Sequence, residues 1–427
     1  MTAEIIVMNK LAIALAADSA VTIGNIDKVF SSANKLFMLS KHHPVGIMVY
    51  ANATILDIPW ETIIKIYRLK IGKNEKNTIL DYTNDFINFL SNNTNLFPIE
   101  LQKLFFNIIL EAHFKQDVEM LNSEIKKDSS RGIDELDEEQ IKIKVENHIN
   151  DLLIINKLDF LGSLNEQDVK QIIKNHKIEI DEVIDKHYQD FPKSRKSRNL
   201  LRKYAVYRLT KDYSQLGIDY PINSGIVLAG FGKDDIFPIV TYFSIRSVLD
   251  NRLIMSEIKT KKISHTNDAE IIPFAQSDMV SNFMNGVLPN YRKWISSYIK
   301  RIYDDLPSLI LSNINLSDSD KELIEDKFIK IGNIQYEFFL DIEKNEVEKN
   351  RGPIYNIVGV LPKDELAKMA ETLVNLTLFK KRISIEPETV GGPIDVAVIT
   401  KGDGFIWIKR KHYFEKDFNP YFFKKGL

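Results

Sequence analysis

Cysteine is absent from the 427 residues. That excludes disulfide bridges, thiolate metal sites and a cysteine nucleophile, and it fits a reducing cytoplasm. No stretch is long and apolar enough to span a bilayer, so no membrane association is expected. The first apolar run, LAIALAA at 11–17, ends on the charged Asp18 and alternates before it, which reads as a strand and not as a secretory signal. Neither charge is in excess: 57 Lys and Arg face 59 Asp and Glu, a formal net charge of −2. Without a basic surplus to displace phosphate counterions, general nucleic-acid binding is excluded. Histidine is sparse. His42 and His43 precede a proline and read as loop, while His113, His148, His176 and His187 fall on helical sequence with no HExxH spacing, so no metal is expected. GFGKDD is glycine-rich but lacks the Lys-Ser/Thr ending of a phosphate loop and reads as a turn. Nothing calls for a cofactor.

What is present is a globular composition, 44% hydrophobic and 27% charged. EIIVM at 4–8 and LAIALAA flank Asn9 and Lys10, a hairpin signal. Short strands are expected at 20–24, 34–39 and 45–51, and Pro59 stands where a helix beginning WETIIKIY would start. Helical periodicity dominates from 72 to about 215, strand texture returns at 224–230 (SGIVLAG) and in IFPIVTYFSI and RLIMSEIKTKKI, and 277–350 is helical again. A strongly amphipathic helix over 364–381 precedes two last strands, IDVAVIT and GFIWIKR, joined by a Gly-Asp-Gly turn. There is no repeat of solenoid period. The expectation is an α+β chain whose core comes in three parts, 1–71, 222–250 and 353–427, interrupted by a helical insertion at 72–221 and a mixed, mostly helical one at 251–352.

The chemistry gathers at the start. If Met1 is removed, Thr2 becomes the terminal residue and offers a hydroxyl nucleophile with its own α-amine as base. Such an amine has an ordinary pKa of about 7.8, so a useful fraction is neutral near pH 7. A nearby lysine ammonium favours the neutral form further, and an aspartate would hold that lysine in place.

Thr2, the hairpin, and LAADSAVT, with Asp18 sixteen positions after Thr2, resemble the opening of the N-terminal nucleophile hydrolases, in particular proteasome β-subunits and the bacterial HslV peptidase. The resemblance extends to Lys35 in NKLFML, to Trp60 and Glu61 at the start of the first helix, and to the last helix with its following VGGPIDVAVIT hairpin. The insertions match nothing in it. It implies a four-layer αββα sandwich and a threonine peptidase or amidase. Thr2 would be the nucleophile, Lys35 would tune its amine, and Asp18 would orient Lys35. The backbone at Thr22 would pair with the substrate, and the N–H of Tyr50 or Ala51 would meet the oxyanion. Gly230 and Gly232 of LAGFGKD, and Gly391 and Gly392, would support the site. The family's oxyanion glycine aligns with Tyr50, its supporting serine with Phe231, and its bracing Asp and Ser near Pro387 and Val390, with Glu386 and Glu388 at hand.

The expected reaction is hydrolysis of peptide or amide bonds through an acyl-enzyme on Thr2, with a peptide or protein substrate. Two alternatives stand beside it: a catalytically degenerate member that binds a partner, and a small-amide hydrolase of the acylase type. Homo-oligomer formation is left open, and an ATPase partner is not indicated.

Overall fold

The computed structural model describes residues 3–23, 28–93, 95–128, 138–191, 194–216, 223–311, 317–384, 390–415 and 417–420. It mixes helix and sheet. In chain order it begins with β1 (Ala3–Asn9), β2 (Ile13–Ala17), β3 (Val21–Ile23), β4 (Lys28–Phe30), β5 (Leu36–Met38), β6 (Val45–Ala51), β7 (Thr54–Ile55) and β8 (Ile58–Pro59). Helices follow: α1 (Trp60–Ile71), α2 (Ile79–Asn92), α3 (Ile99–Asp128), α4 (Glu138–Leu152), α5 (Glu166–Asn175), α6 (Lys177–His187) and α7 (Arg195–Thr210). Next come β9 (Ser224–Gly230), β10 (Ile239–Leu249), β11 (Arg252–Met255), β12 (Lys259–Lys262) and β13 (Ala269–Ala275). The chain then passes through α8 (Asp278–Asn285), α9 (Pro289–Leu311), α10 (Asp318–Val358) and α11 (Lys363–Ile383) to β14 (Asp395–Thr400) and β15 (Gly404–Lys409).

Among the described residues two large sheets form. One has the order β13-β1-β2-β14-β15; the other runs β11-β10-β9-β6-β5, with β12 also paired to β10. Strand alternation decides what lies between and around them. Ile6 and Met8 of β1, Ile13, Leu15 and Ala17 of β2 share one buried cluster with Met48, Val227, Ala229 and Val240 of the second sheet. Each Ile, Leu, Met or Val among them is worth about 1.5–3 kcal/mol when removed from water. The alternate residues, Ala3, Ile5, Val7, Ala14 and Ala16, pack instead on Leu366, Ala370, Leu373 and Val374 of α11 and on Val280 and Met284 of α8. Small side chains on β2 let α11 approach closely. On the second sheet Ile47, Val49, Ile226, Leu228 and Phe243 face Trp60, Ile63, Ile64 and Tyr67 of α1 and Tyr82, Phe86 and Phe89 of α2.

Local signals explain the helix ends. Pro59 precedes the first turn of α1. Thr78 and Asp81 form a reciprocal capping box at α2, and α11 carries Asp364 and Glu365 in its first turn and Lys380, Lys381 and Arg382 in its last. The expected hairpin turn at Asn9 and Lys10 is real but longer, because Asn9 Oδ1 accepts the N–H groups of Leu11 and Ala12 while its amide donates to the carbonyls of Val358 and Leu361.

Within the two spans expected as insertions, some elements pack on the sheets themselves. Within 72–221, α2 packs on the second sheet, and a separate core built on Phe114, Tyr188 and Tyr204 begins with α3. Leu249 and Ile254 join that core. They lie on the part of β10 and β11 beyond Ser224, so α3–α7 stand at the Ala51 end of the second sheet. Within 251–352, β13 pairs along the whole of β1 before the helices begin. α9 and α10 then lie antiparallel, with Arg292 on Glu343 at 2.6 Å and Tyr303 against Gly332. Among the described residues no helix is long and apolar enough to cross a membrane.

Candidate active site

Register brings Asp18 to the chain start. Glu4 pairs with Ala17 and Ala3 follows on, so Asp18 N–H donates to the Ala3 carbonyl at 3.1 Å and Ala3 N–H returns a bond to Asp18 Oδ1 at 3.0 Å. The same oxygen accepts the Lys35 ammonium at 2.5 Å. Lys35 is fixed from the other sheet, since its carbonyl accepts Val49 N–H of β6 at 2.9 Å. Asp18 Oδ2 accepts Ala20 N–H at 3.2 Å and Gly391 N–H at 3.0 Å. Asp18 is fully buried and Lys35 is 5% exposed. An ionised carboxylate is tolerated there only with a counter-charge and hydrogen bonds on its remaining lone pairs, and this one has both.

The Gly391 turn is tied down from several sides. Ser19 N–H donates to the Gly391 carbonyl at 3.1 Å, the Ser19 hydroxyl donates to the Pro393 carbonyl, and Ala33 N–H donates to the Ser19 carbonyl at 3.1 Å. Gly392 has φ 77°, and a Cβ on it would stand 2.6 Å from Ser31 Cβ. The pair Gly391 and Gly392 thus serves two ends, a free N–H for Asp18 and a close approach to Ser31.

Of the residues singled out from sequence, Asp18, Lys35, Gly391 and Gly392 come together. Thr2 lies outside the described residues, as do Glu386, Pro387 and Glu388; its successor Ala3 is held as above. Thr22 is in β3, its backbone paired with Val29 of β4. Tyr50 and Ala51 end β6, one and two positions beyond the Val49 amide that grips Lys35. Ala51 has φ 66°, a left-handed conformation uncommon outside glycine. The Tyr50 ring lies over Gly225, where a Cβ would stand 2.0 Å from Cζ, and meets Phe274 at a centroid distance of 5.3 Å.

Gly230 and Gly232 are not brought to the site. Gly230 pairs with Val45 at the opposite end of β6 from Ala51, a separation of about 20 Å at 3.3 Å per residue. Their turn is structural. Gly232 presses on the backbone of Asn77 and Thr78, its N–H donates to Asp235 Oδ2 at 2.8 Å, and Lys401 Nζ donates to its carbonyl at 2.8 Å. Phe231, between them, is core.

Two features escaped the sequence reading. Glu4 is fully buried on the face of β1 that looks toward the second sheet, and neither carboxyl oxygen has a hydrogen-bond partner among the described residues. Burial pushes its carboxyl well above the usual range, the Lys35 charge opposes that, and the Asp18 charge adds to it. An unpaired charged residue in an otherwise apolar strand is the one signal that pointed to it. The second is the end of β13. Ala275, at φ 61°, pairs with Ala3, so 275–277 flank the chain start just before α8. No family model matches the chain, and no curated protein matches it.

Proposed function

We propose that the chain is a hydrolase of the N-terminal nucleophile type, cleaving peptide or amide bonds, and that its two sheets with their flanking helices form the four-layer αββα sandwich of that family. One observation carries the reading. A single buried carboxylate, Asp18, holds both the Lys35 ammonium and the backbone N–H of the residue after Thr2, which is where a proton-tuning charge is needed if Thr2 does the chemistry.

In this mechanism Met1 is removed and the Thr2 amine becomes free. The amine takes the hydroxyl proton as Oγ attacks the substrate carbonyl carbon, and the oxyanion is met by the N–H of Tyr50 or Ala51. The amine then gives its proton to the leaving nitrogen as the C–N bond breaks, leaving an ester on Thr2. Water, deprotonated by the same amine, hydrolyses the ester and regenerates the hydroxyl. Lys35 keeps the amine largely unprotonated, and Asp18 fixes Lys35. An extended peptide would lie along the backbone of β3 at Thr22 as an added strand.

The test is labelling. Protein from its native host, with intact mass lower by one methionine, is expected to react at Thr2 with a peptide boronate or epoxide, as located by peptide mapping. The same protein with Gly-Ser placed before Thr2 is expected to fold and not to react. Equal labelling of both forms contradicts the mechanism. No labelling by either, together with no cleavage of a broad peptide and small-amide panel, favours the partner-binding alternative.

A further inference from the structure

The arm formed by α9 and α10 leaves an apolar face in water, interrupted on α9 by the Arg301–Asp305 ion pair. On α9, Tyr291, Trp294, Tyr298, Ile302 and Leu309 recur at three-, four- and seven-residue steps, which places them on one side of a helix. On α10, Ile331, Ile334, Phe338 and Ile342 do the same. All nine are exposed, Trp294 at 60% and Phe338 at 62%. The two stripes look the same way, because Ile302 of α9 and Phe338 and Ile342 of α10 line one hollow of about 290 Å³ midway along the arm. An exposed face of this composition marks an interaction surface.

The charges beside the stripes suit a second copy of the chain as the occupant. Gly332 against Tyr303 and Glu343 on Arg292 fix the alignment of the helices, so Ile302 lies level with residues 333 and 334. About that level two pairs of exposed charges on α10 are arranged with opposite signs. Lys327 and Asp341 lie seven residues to either side of Ile334; Lys330, which also pairs with Asp326 at 2.6 Å, and Glu337 lie nearer; on α9 Arg301 and Asp305, paired with each other at 3.4 Å, lie one and three residues to either side of Ile302. A surface whose positive groups on one side of its centre match negative groups on the other complements a reversed copy of itself, the requirement of a two-fold interface. The size also suits. About 23 residues at 1.5 Å each, across two helices about 10 Å wide, give about 700 Å² per partner, close to the ~800 Å² of a standard interface.

We propose that the arm is a dimerisation surface. Two copies of the chain join face to face through α9 and α10, antiparallel about a two-fold axis near Ile302 and Ile334, and complete a four-helix bundle. Lys327 of one copy meets Asp341 of the other, twice. The cost of leaving nine apolar side chains in water is removed by the second copy, and the hollow is filled from across the axis.

Sedimentation equilibrium of the full chain is expected to give a dimer. The readout is blind to catalysis, so it stands or falls apart from the hydrolase reading. Trp294→Glu with Phe338→Glu is expected to give a monomer with unchanged circular dichroism. Lys327→Glu and Asp341→Lys are each expected to raise the dissociation constant about tenfold, and the two together in one chain to restore it. Because the chain has no cysteine, Ile334→Cys supplies a single thiol that is expected to form a disulfide-linked dimer on mild oxidation, even if the glutamate variants fail to fold. A monomer at all concentrations overturns the proposal, whether the arm then binds lipid vesicles or an unlike protein. So does a dimer that ignores the substitutions, or charge reversal without mutual rescue.

Discussion

Replacing Lys35 by methionine tests the buried pair at its most sensitive point. The ammonium stands 2.5 Å from Asp18 Oδ1, with the two side chains 5% and 0% exposed. Removing one member of a buried pair costs about 3–5 kcal/mol, mostly because the other charge is left uncompensated. Asp18 keeps three backbone N–H donors, from Ala3, Ala20 and Gly391, so the expected loss sits at the low end, about 3 kcal/mol. The assay is the urea midpoint and slope of wild type and Lys35→Met, followed by Asp18→Asn and the double variant. Asn puts an amide where two N–H donors converge, so it is also costly alone. The double variant is expected to lose less than the two singles together, since the charge that Lys35 compensates is already gone. If hydrolysis is measurable in wild type, Lys35→Met is expected to abolish it while the circular dichroism spectrum is retained. A loss under about 1 kcal/mol, the value of an exposed pair, with additive singles, would refute the claim that this pair organises the chain start.

Three further outcomes follow from buried groups and one tight turn. Glu4 has its folded pKa raised, so its contribution to stability is full below the unfolded value of about 4.3 and is lost as pH rises, by up to about 1.4 kcal/mol per pH unit until the folded pKa is passed. Glu4→Gln should therefore gain on wild type with rising pH in urea titrations, and a flat difference would contradict this. Gly392→Ala should cost about 2 kcal/mol, since φ is 77° and Ser31 blocks the new Cβ. Gly391→Ala, with nothing within 4 Å, should change the melting temperature little. Burial pushes the Asp117 carboxyl up to about 6, against the hydrogen bond from the Tyr204 hydroxyl at 2.9 Å. Tyr204→Phe should cost about 1–3 kcal/mol, and the deficit should be larger at pH 7, where the carboxylate is charged, than at pH 4.

Much of the fold was legible because its signals are local. The β1–β2 pair, the helix after Pro59, β9 and the last helix with its hairpin all announce themselves by period and by their end residues. β13 did not. AEIIPFA contains Pro273, which argues against a strand, yet β13 is the edge of its sheet, where a missing N–H costs no ladder bond on the open side. Of the candidate site, the buried pair of Asp18 and Lys35 was legible, where chemistry and spacing coincide. The bond from Gly391 to Asp18 spans 373 positions, and only the fold can close it. Gly230 and Gly232 show the opposite failure. Their glycines come in the expected order along the chain, but strand register puts them at the wrong end of β6. Sequence order fixes which strand a residue is on and leaves open which end of the sheet it reaches.

The charge balance of the site depends on Glu4 as much as on Asp18. Lys35 supplies one positive charge and Asp18 one negative charge, both buried, so the pair is neutral. A second carboxylate on the same face of β1 would leave the group with a net negative charge. Burial without a hydrogen-bond donor disfavours that second charge. The apolar surroundings that make a charged Glu4 costly therefore also keep the group from becoming net negative. In the proposed mechanism a net negative charge would hold a proton on the Thr2 amine, so a neutral Glu4 helps to leave that amine ready to accept one. The four donors that converge on Asp18 include the Ala3 N–H, so Ala3 is held in place by the fold itself; in the proposed mechanism that hold would orient the nucleophile before a substrate arrives.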